Sequence, residues 1–175
     1  LTITNKATDG DLPSDRLTYV LTASPVGSAI TTNGVITWTP TEAQGPMVAT
    51  FTTVVADKGE LKATNSFTVT VTEVNQAPQF SSTPTNRTIA ENTLLTVTNN
   101  ATDADLPANG LTYQLVGAPV GASITTNGVI TWTPSEAQGP STNTLTTVVS
   151  DGTVSVTNSF EVVVSEVNVA PVFVG

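Results

Sequence analysis

The 175-residue sequence contains no cysteine and no histidine. The first absence excludes disulfides, thiol nucleophiles and thiolate zinc sites; the second excludes histidine-based triads and imidazole metal ligands. A small β domain without disulfides must be stabilised by its core, by bound metal or by neighbouring modules. Basic residues are also scarce, 5 Lys and Arg against 14 Asp and Glu, for a net charge of −9. That balance argues against binding to nucleic-acid phosphates or anionic lipid, and it suits hard cations that take oxygen ligands. No apolar run approaches the roughly 18 residues needed to cross a membrane, and no signal-peptide pattern is present. No stretch shows a convincing helical period.

What the chain has instead is threonine, about a fifth of its residues, with abundant valine. These β-branched types favour strands and disfavour helices. Leu17, Tyr19 and Leu21 alternate with Thr18 and Val20, and Phe67, Val69 and Val71 alternate with threonines. Period 2 with one apolar face marks half-buried antiparallel strands. Asn33-Gly34 and Asn127-Gly128, each between an Ile-Thr-Thr and a Val-Ile-Thr-Trp run, predict two-residue hairpin loops. About seven short strands per repeat predict a β-sandwich.

The chain is an internal duplication. LTITNKATDGDLPSDRLTYVL (1–21) reads again as LTVTNNATDADLPANGLTYQL (95–115), and TTNGVITWTPTEAQGP (31–46) recurs at 125–140 almost unchanged. A period this long indicates tandem whole domains, not solenoid repeats. EVNQAPQF (73–80) is the linker, and EVNVAPVF (166–173) is its counterpart. Residues 1–76 therefore form one module, 77–169 a second, and 170–175 the start of a third. The second module has an opening segment, 79–94, that the first lacks. The first is thus expected to miss its N-terminal edge strand and to expose an unpaired edge, which a neighbouring chain's tail could cover. The chain opens on Leu1, not Met, and is read as a fragment of a longer array.

Together these residues resemble a family. The order Gly-x-Ile, Pro-x-Glu-Ala-Gln-Gly-Pro, a Val-Val-x-Asp turn and a closing Val-x-Glu-Val-Asn-x-Ala-Pro-x-Phe is similar to cadherin-like repeats. It is most similar to the dystroglycan-type cadherin-like, Ig-like repeats of bacterial surface and secreted proteins. The resemblance covers the whole chain twice and implies an all-β fold: two seven-strand Greek-key β-sandwiches joined end to end.

In cadherins the junction between modules binds calcium, so the resemblance also implies a site. Glu42 matches the Glu of the family's Asp-Arg-Glu motif, although the Asp-Arg part is absent. Glu73 and Asn75 match the first acid and the Asn of the Asp-x-Asn-Asp-Asn linker, in which Gln76 replaces an expected acid. Asp103 and Asp105 match the family's Asp-Ala-Asp, and Asp151 the Asp of Ala-x-Asp-x-Gly. These six are the implied junction ligands. Asp9, Asp11 and Asp57 would form half of a site toward a preceding module. Glu91, Glu136, Glu166 and Asn168 would form half of one toward a following module.

The chemistry supports Ca²⁺ apart from the analogy. Calcium takes six to eight oxygens, residues i and i+2 of a turning loop can face one ion, and clustered carboxylates repel without a cation. The competing reading is that Asp-x-Asp-Leu-Pro is simply a solvated turn.

Other candidates fall away. Trp38 and Trp132 could stack on sugars, but each shares strand parity with Ile36 or Ile130 and reads as core, as do Tyr19 and Tyr113. A glycosidase needs two carboxylates across a cleft, one with a raised pKa. Acids repeated in both copies at module ends do not fit that need, so the chain is read as not an enzyme. Asn86-Arg87-Thr88 and Asn100-Ala101-Thr102 match the glycosylation sequon, which composition alone explains.

The resulting expectation is an extracellular, cell-surface spacer of a large bacterial adhesin or secreted protein, stiffened by Ca²⁺. Its partners would be neighbouring repeats, with homophilic or strand-swapped self-association and polysaccharide binding as alternatives. No nucleic acid and no membrane insertion are expected.

Overall fold

The structure is a computed structural model that describes residues 1–11 and 16–173. The chain folds as two compact units, Leu1–Val74 and Asn75–Gly175. Residues 12–15 of the first repeat and the last two of the predicted third module lie outside the described residues.

The first unit contains β1 (Thr2–Thr4), β2 (Thr18–Ala23), β3 (Ala29–Ile30), β4 (Val35–Thr37), β5 (Met47–Ala56) and β6 (Lys62–Val71). They form two antiparallel sheets, β1-β4-β3 and β2-β5-β6. Ile36, Trp38, Ala49 and Phe51 are buried between the sheets, with Leu21, Ile30, Phe67, Val69 and Val71 packed against them. Trp38 meets Phe51 edge-on at 5.5 Å, and Phe67 stacks on Phe51 at 5.2 Å. The tryptophan parity thus reads correctly as core.

The second unit contains β7 (Gln79–Ser82), β8 (Arg87–Ala90), β9 (Leu95–Thr98), β10 (Asn100–Thr102), β11 (Thr112–Val116), β12 (Ser123–Ile124), β13 (Val129–Trp132), β14 (Ser141–Ser150) and β15 (Ser155–Ser165). One sheet runs β11-β14-β15-β8 and the other β12-β13-β9, while β7 pairs with β10. All pairings are antiparallel except β15 with β8. Leu95, Val97, Ile130, Trp132, Leu145, Phe160, Val162 and Val164 fill the space between the sheets. The only helical turns among the described residues are two 3-10 turns, Glu42–Gln44 and Glu136–Gln138. The molecule is all-β, as its composition predicts.

Two details refine the sequence reading. The Asn-Gly hairpins are three-residue loops, not two-residue ones: Gly34 N–H donates to Thr31 O at 3.0 Å and Thr31 N–H to Val35 O at 2.9 Å. A turn followed by glycine at φ +76° accounts for the extra residue. A side chain at Gly34 would also strike the Asn5 carbonyl, so the glycine is required twice over.

The first unit also lacks counterparts of β7 and β8 among its described residues. Its β6 is consequently an edge, and Phe67, Val69 and Val71 are only half-buried. Their counterparts Phe160, Val162 and Val164 are 2%, 0% and 1% exposed, and β8 pairs alongside the last two.

Candidate functional site

Acidic side chains gather at two places in the second unit, separated by the length of the β14–β15 hairpin. Asp151 lies in the turn where that hairpin reverses, and Glu166 follows its last residue, Ser165. An eleven-residue strand spans roughly 36 Å, so the two clusters occupy opposite ends of the unit.

At the first end, carboxylate oxygens of Asp103, Asp105 and Asp151 lie within 4.8 Å of one another. Local chemistry builds the loop that carries two of them. The Tyr113 hydroxyl accepts the Ala101 N–H at 3.0 Å, fixing the chain two residues before Asp103. Asp103 Oδ1 then accepts the Asp105 N–H at 2.9 Å, closing an Asx turn that draws the two acids together. Asp105 is 1% exposed. Its Oδ1 accepts the Gln76 N–H at 2.9 Å and its Oδ2 the Asn109 side-chain amide at 2.8 Å. Asp151 Oδ1 accepts the N–H groups of Thr153 and Val154, both at 2.6 Å, and its Oδ2 the Asn75 amide at 2.9 Å. The Val154 N–H, followed by the Asn75 amide, holds its carboxyl below the ordinary range.

At the other end, Glu91, Glu136 and Glu166 also bring carboxylate oxygens within 4.8 Å of one another. Glu91 is only 2% exposed. Its Oε1 accepts the Val167 N–H at 2.8 Å. Gly139 leaves room for this carboxylate, since a Cβ there would collide with Glu91 Oε2. Glu136 opens the second 3-10 turn, where Gln138 Oε1 accepts the Ser135 N–H at 2.9 Å. Desolvation, then the charges of Glu91 and Glu136, push the Glu166 carboxyl upward. Asn168 is exposed just beyond, in the segment that leaves β15.

Two atoms test whether these groups suit a cation. Asp103 Oδ2 and Glu91 Oε2 are buried with no hydrogen-bond partner. A buried, unsatisfied carboxylate oxygen is costly, and a divalent cation bound at each cluster would satisfy the one there. Carboxylates that already accept N–H groups retain a lone pair for a metal. The all-oxygen donor set fits calcium, and the absence of Cys and His rules out a typical zinc site.

In the first unit, Glu42 and Glu73 approach within 4.8 Å and line one open cleft of 180 Å³ with Pro40, Thr41 and Gly45. Glu42 lies in the first 3-10 turn, and Glu73 just past β6. Asp9, Asp11 and Asp57 are not gathered in the same way. Asp9 Oδ1 accepts the Asp11 N–H at 2.7 Å and Asp57 Oδ1 the Leu61 N–H at 2.9 Å, but the three acids form no close group. Asn75, which ties Asp151 in the second unit, has no counterpart among the first unit's residues.

Asn109 escaped sequence reasoning. Its position four residues after Asp105, in Asp-Leu-Pro-Ala-Asn-Gly, reads only as turn chemistry. Gln76 was legible as the loss of an acid, but it contributes through its backbone N–H, which any residue except proline supplies.

No protein-family model matches the chain, and a search of curated proteins finds no match. Solved structures do resemble it. The extracellular cadherin domains 3–6 of protocadherin gamma B2 superpose with a TM-score of 0.57 at 18% identity, covering 94% of this chain and 47% of that one. Human mucin-like protocadherin EC1-2 gives 0.56 at 18% identity, covering 94% and 92%. Human CDH23 EC21-23 gives 0.54 at 20% identity, covering 87% and 59%. The chain spans less than half the length of the protocadherin gamma B2 structure. No helix among the described residues is long and apolar enough to cross a membrane. The two repeats are built on the cadherin-like β-sandwich fold.

Proposed function

We propose that the chain is a pair of extracellular, non-catalytic spacer modules that bind Ca²⁺ between successive modules and are stiffened by it. The observation that carries this reading is the placement of the two acidic clusters. One occupies each end of the second unit, and each contains a buried carboxylate oxygen with no hydrogen-bond partner.

Asp103, Asp105, Asp151 and Asn75 would hold the ion on one side of the first junction. Glu42 and Glu73 would supply the other side, since Glu73 precedes Asn75 by two residues. Glu91, Glu136, Glu166 and Asn168 would receive the ion shared with a following module that begins near residue 170. Asp9, Asp11 and Asp57 would need residues from a preceding module to converge. An ion whose ligands come from two modules fixes the angle between them, because bending must break coordination.

The cadherin ectodomains among the structural neighbours support an adhesion or surface role, and a stalk of such modules would hold a terminal domain away from the cell. A bacterial source rests on the sequence resemblance. Small-angle X-ray scattering tests the stiffening. The maximum dimension should increase and its distribution narrow in calcium relative to EDTA. Superimposable curves would refute it.

A further inference from the structure

We propose that Asn109 is a self-modifying site: the Gly110 backbone nitrogen attacks its side-chain amide and converts it to a carboxylate, which adds an acid beside Asp105.

Asn followed by Gly occurs at 33–34, 109–110 and 127–128. Such a pair closes readily into a ring, because no Cβ crowds the attacking nitrogen and the backbone at glycine turns freely. The structure separates the three. In both hairpin loops the glycine N–H is already donated, from Gly34 to Thr31 O and from Gly128 to Thr125 O, at 3.0 Å each. Those two glycines are also set at φ +76° and +77° by the turn. Their nitrogens are therefore held away from the side chain that precedes them. The Gly110 N–H has no acceptor among the described residues, and Gly110 is exposed and outside any strand.

The Gly110 nitrogen bonds to Asn109 Cγ and gives up its proton. The Cγ–Nδ2 bond breaks, and Nδ2 leaves as ammonia with that proton. Water then opens the five-membered imide at either carbonyl, which leaves aspartate or its isomer with the main chain running through Cβ. The change alters a specific tie. Asn109 Nδ2 donates to Asp105 Oδ2 at 2.8 Å and to Asn75 Oδ1 at 3.4 Å. Once it is lost, both acceptors lose their donor, and the buried Asp105 carboxylate faces a like charge. The first copy carries Asp15 at the equivalent position, followed by Arg16, whereas Gly110 supplies no such cation. The reaction needs no bound ion, so it stands or falls separately from the reading above.

Peptide mapping by mass spectrometry tests this, on the full chain incubated in EDTA at mildly alkaline pH. Acid and isomerised acid should accumulate at 109, and at least about tenfold more slowly at 33 and 127, where the turn must open first. Gly110→Ala should keep the amide at 109 without disturbing the fold, since a Cβ there meets nothing within 4 Å. Asn109→Asp, which reproduces the product, should unfold at lower denaturant than the unaltered chain in EDTA at neutral pH. That difference should close at acid pH, as the carboxylates take up protons. Conversion at 109 no faster than at 33 and 127, or an Asn109→Asp chain as stable as the unaltered one, would overturn the proposal.

Discussion

Glu91 sits almost out of water, with one oxygen on the Val167 N–H and the other without a hydrogen bond, within reach of Glu136 and Glu166. Three acids held this close oppose one another unless a cation or a proton joins them. The two clusters should consequently respond to pH with opposite sign. Glu166 has a folded pKa raised above its ordinary 4.5. Its contribution is therefore fully present below pH 4.5 and is lost as pH rises through the folded value. Asp151 has a folded pKa lowered below 3.8. Its contribution is present above pH 3.8 and is lost as pH falls through the folded value. Denaturant titrations in EDTA should show Glu166→Gln removing the loss of stability above pH 4.5, and Asp151→Asn removing the loss at the acid end. An unchanged pH profile in either variant would contradict the assignment. Gly139→Ala tests the space around Glu91. The added methyl would displace the carboxylate and should cost about 1–3 kcal/mol, the usual penalty for overpacking, whereas Gly45→Ala in the first unit meets no atom closer than 3.3 Å and should cost far less.

Between residue and molecule, the strands show which parts of the structure were legible in the sequence. Alternation located the core: Ile36 and Trp38 are 0% and 2% exposed, and Ile130 and Trp132 are 0% and 1% exposed. The offset between the repeats also showed that the first copy has no counterpart of residues 79–94, and β6 is an edge of its sheet among the described residues. Other features were hidden because they depend on contacts distant in sequence. Asn99 and Thr147, both fully buried, pair at 3.0 Å across 48 residues. Glu91 reads as a charged residue near a strand end, and only the packing of Gly139 and Val167 around it shows its burial. The tyrosines were read as core, yet each is half-buried and its hydroxyl oxygen accepts a backbone N–H, that of Ala7 for Tyr19 and of Ala101 for Tyr113. Strand order also predicts dynamics. In EDTA, outward amides of residues 69–71 in β6 should exchange with solvent much faster than the matching amides of residues 162–164 in β15, along which β8 pairs. Equal protection would mean that β6 is not a free edge.

For the whole molecule, the acidic excess carries functional information. A net charge of −9 with only five basic residues leaves most carboxylates without a protein cation, and two groups of them lie at the ends of the second unit. Binding of an ion to the folded state alone stabilises it by about 2.7 kcal/mol at a hundred times Kd, which corresponds to about 10 °C or more in a domain of this size. The most direct measurement is differential scanning calorimetry in millimolar calcium and in EDTA. It should be made on the unaltered chain, on Asp103→Ala and on Glu91→Gln. The expected result is a rise of that order in calcium, reduced by each variant, with the Glu91→Gln chain no less stable than the unaltered one in EDTA because a buried charge has been removed. Identical transitions in calcium and EDTA would contradict the calcium-stiffened spacer and leave the clustered carboxylates as solvated loop ends.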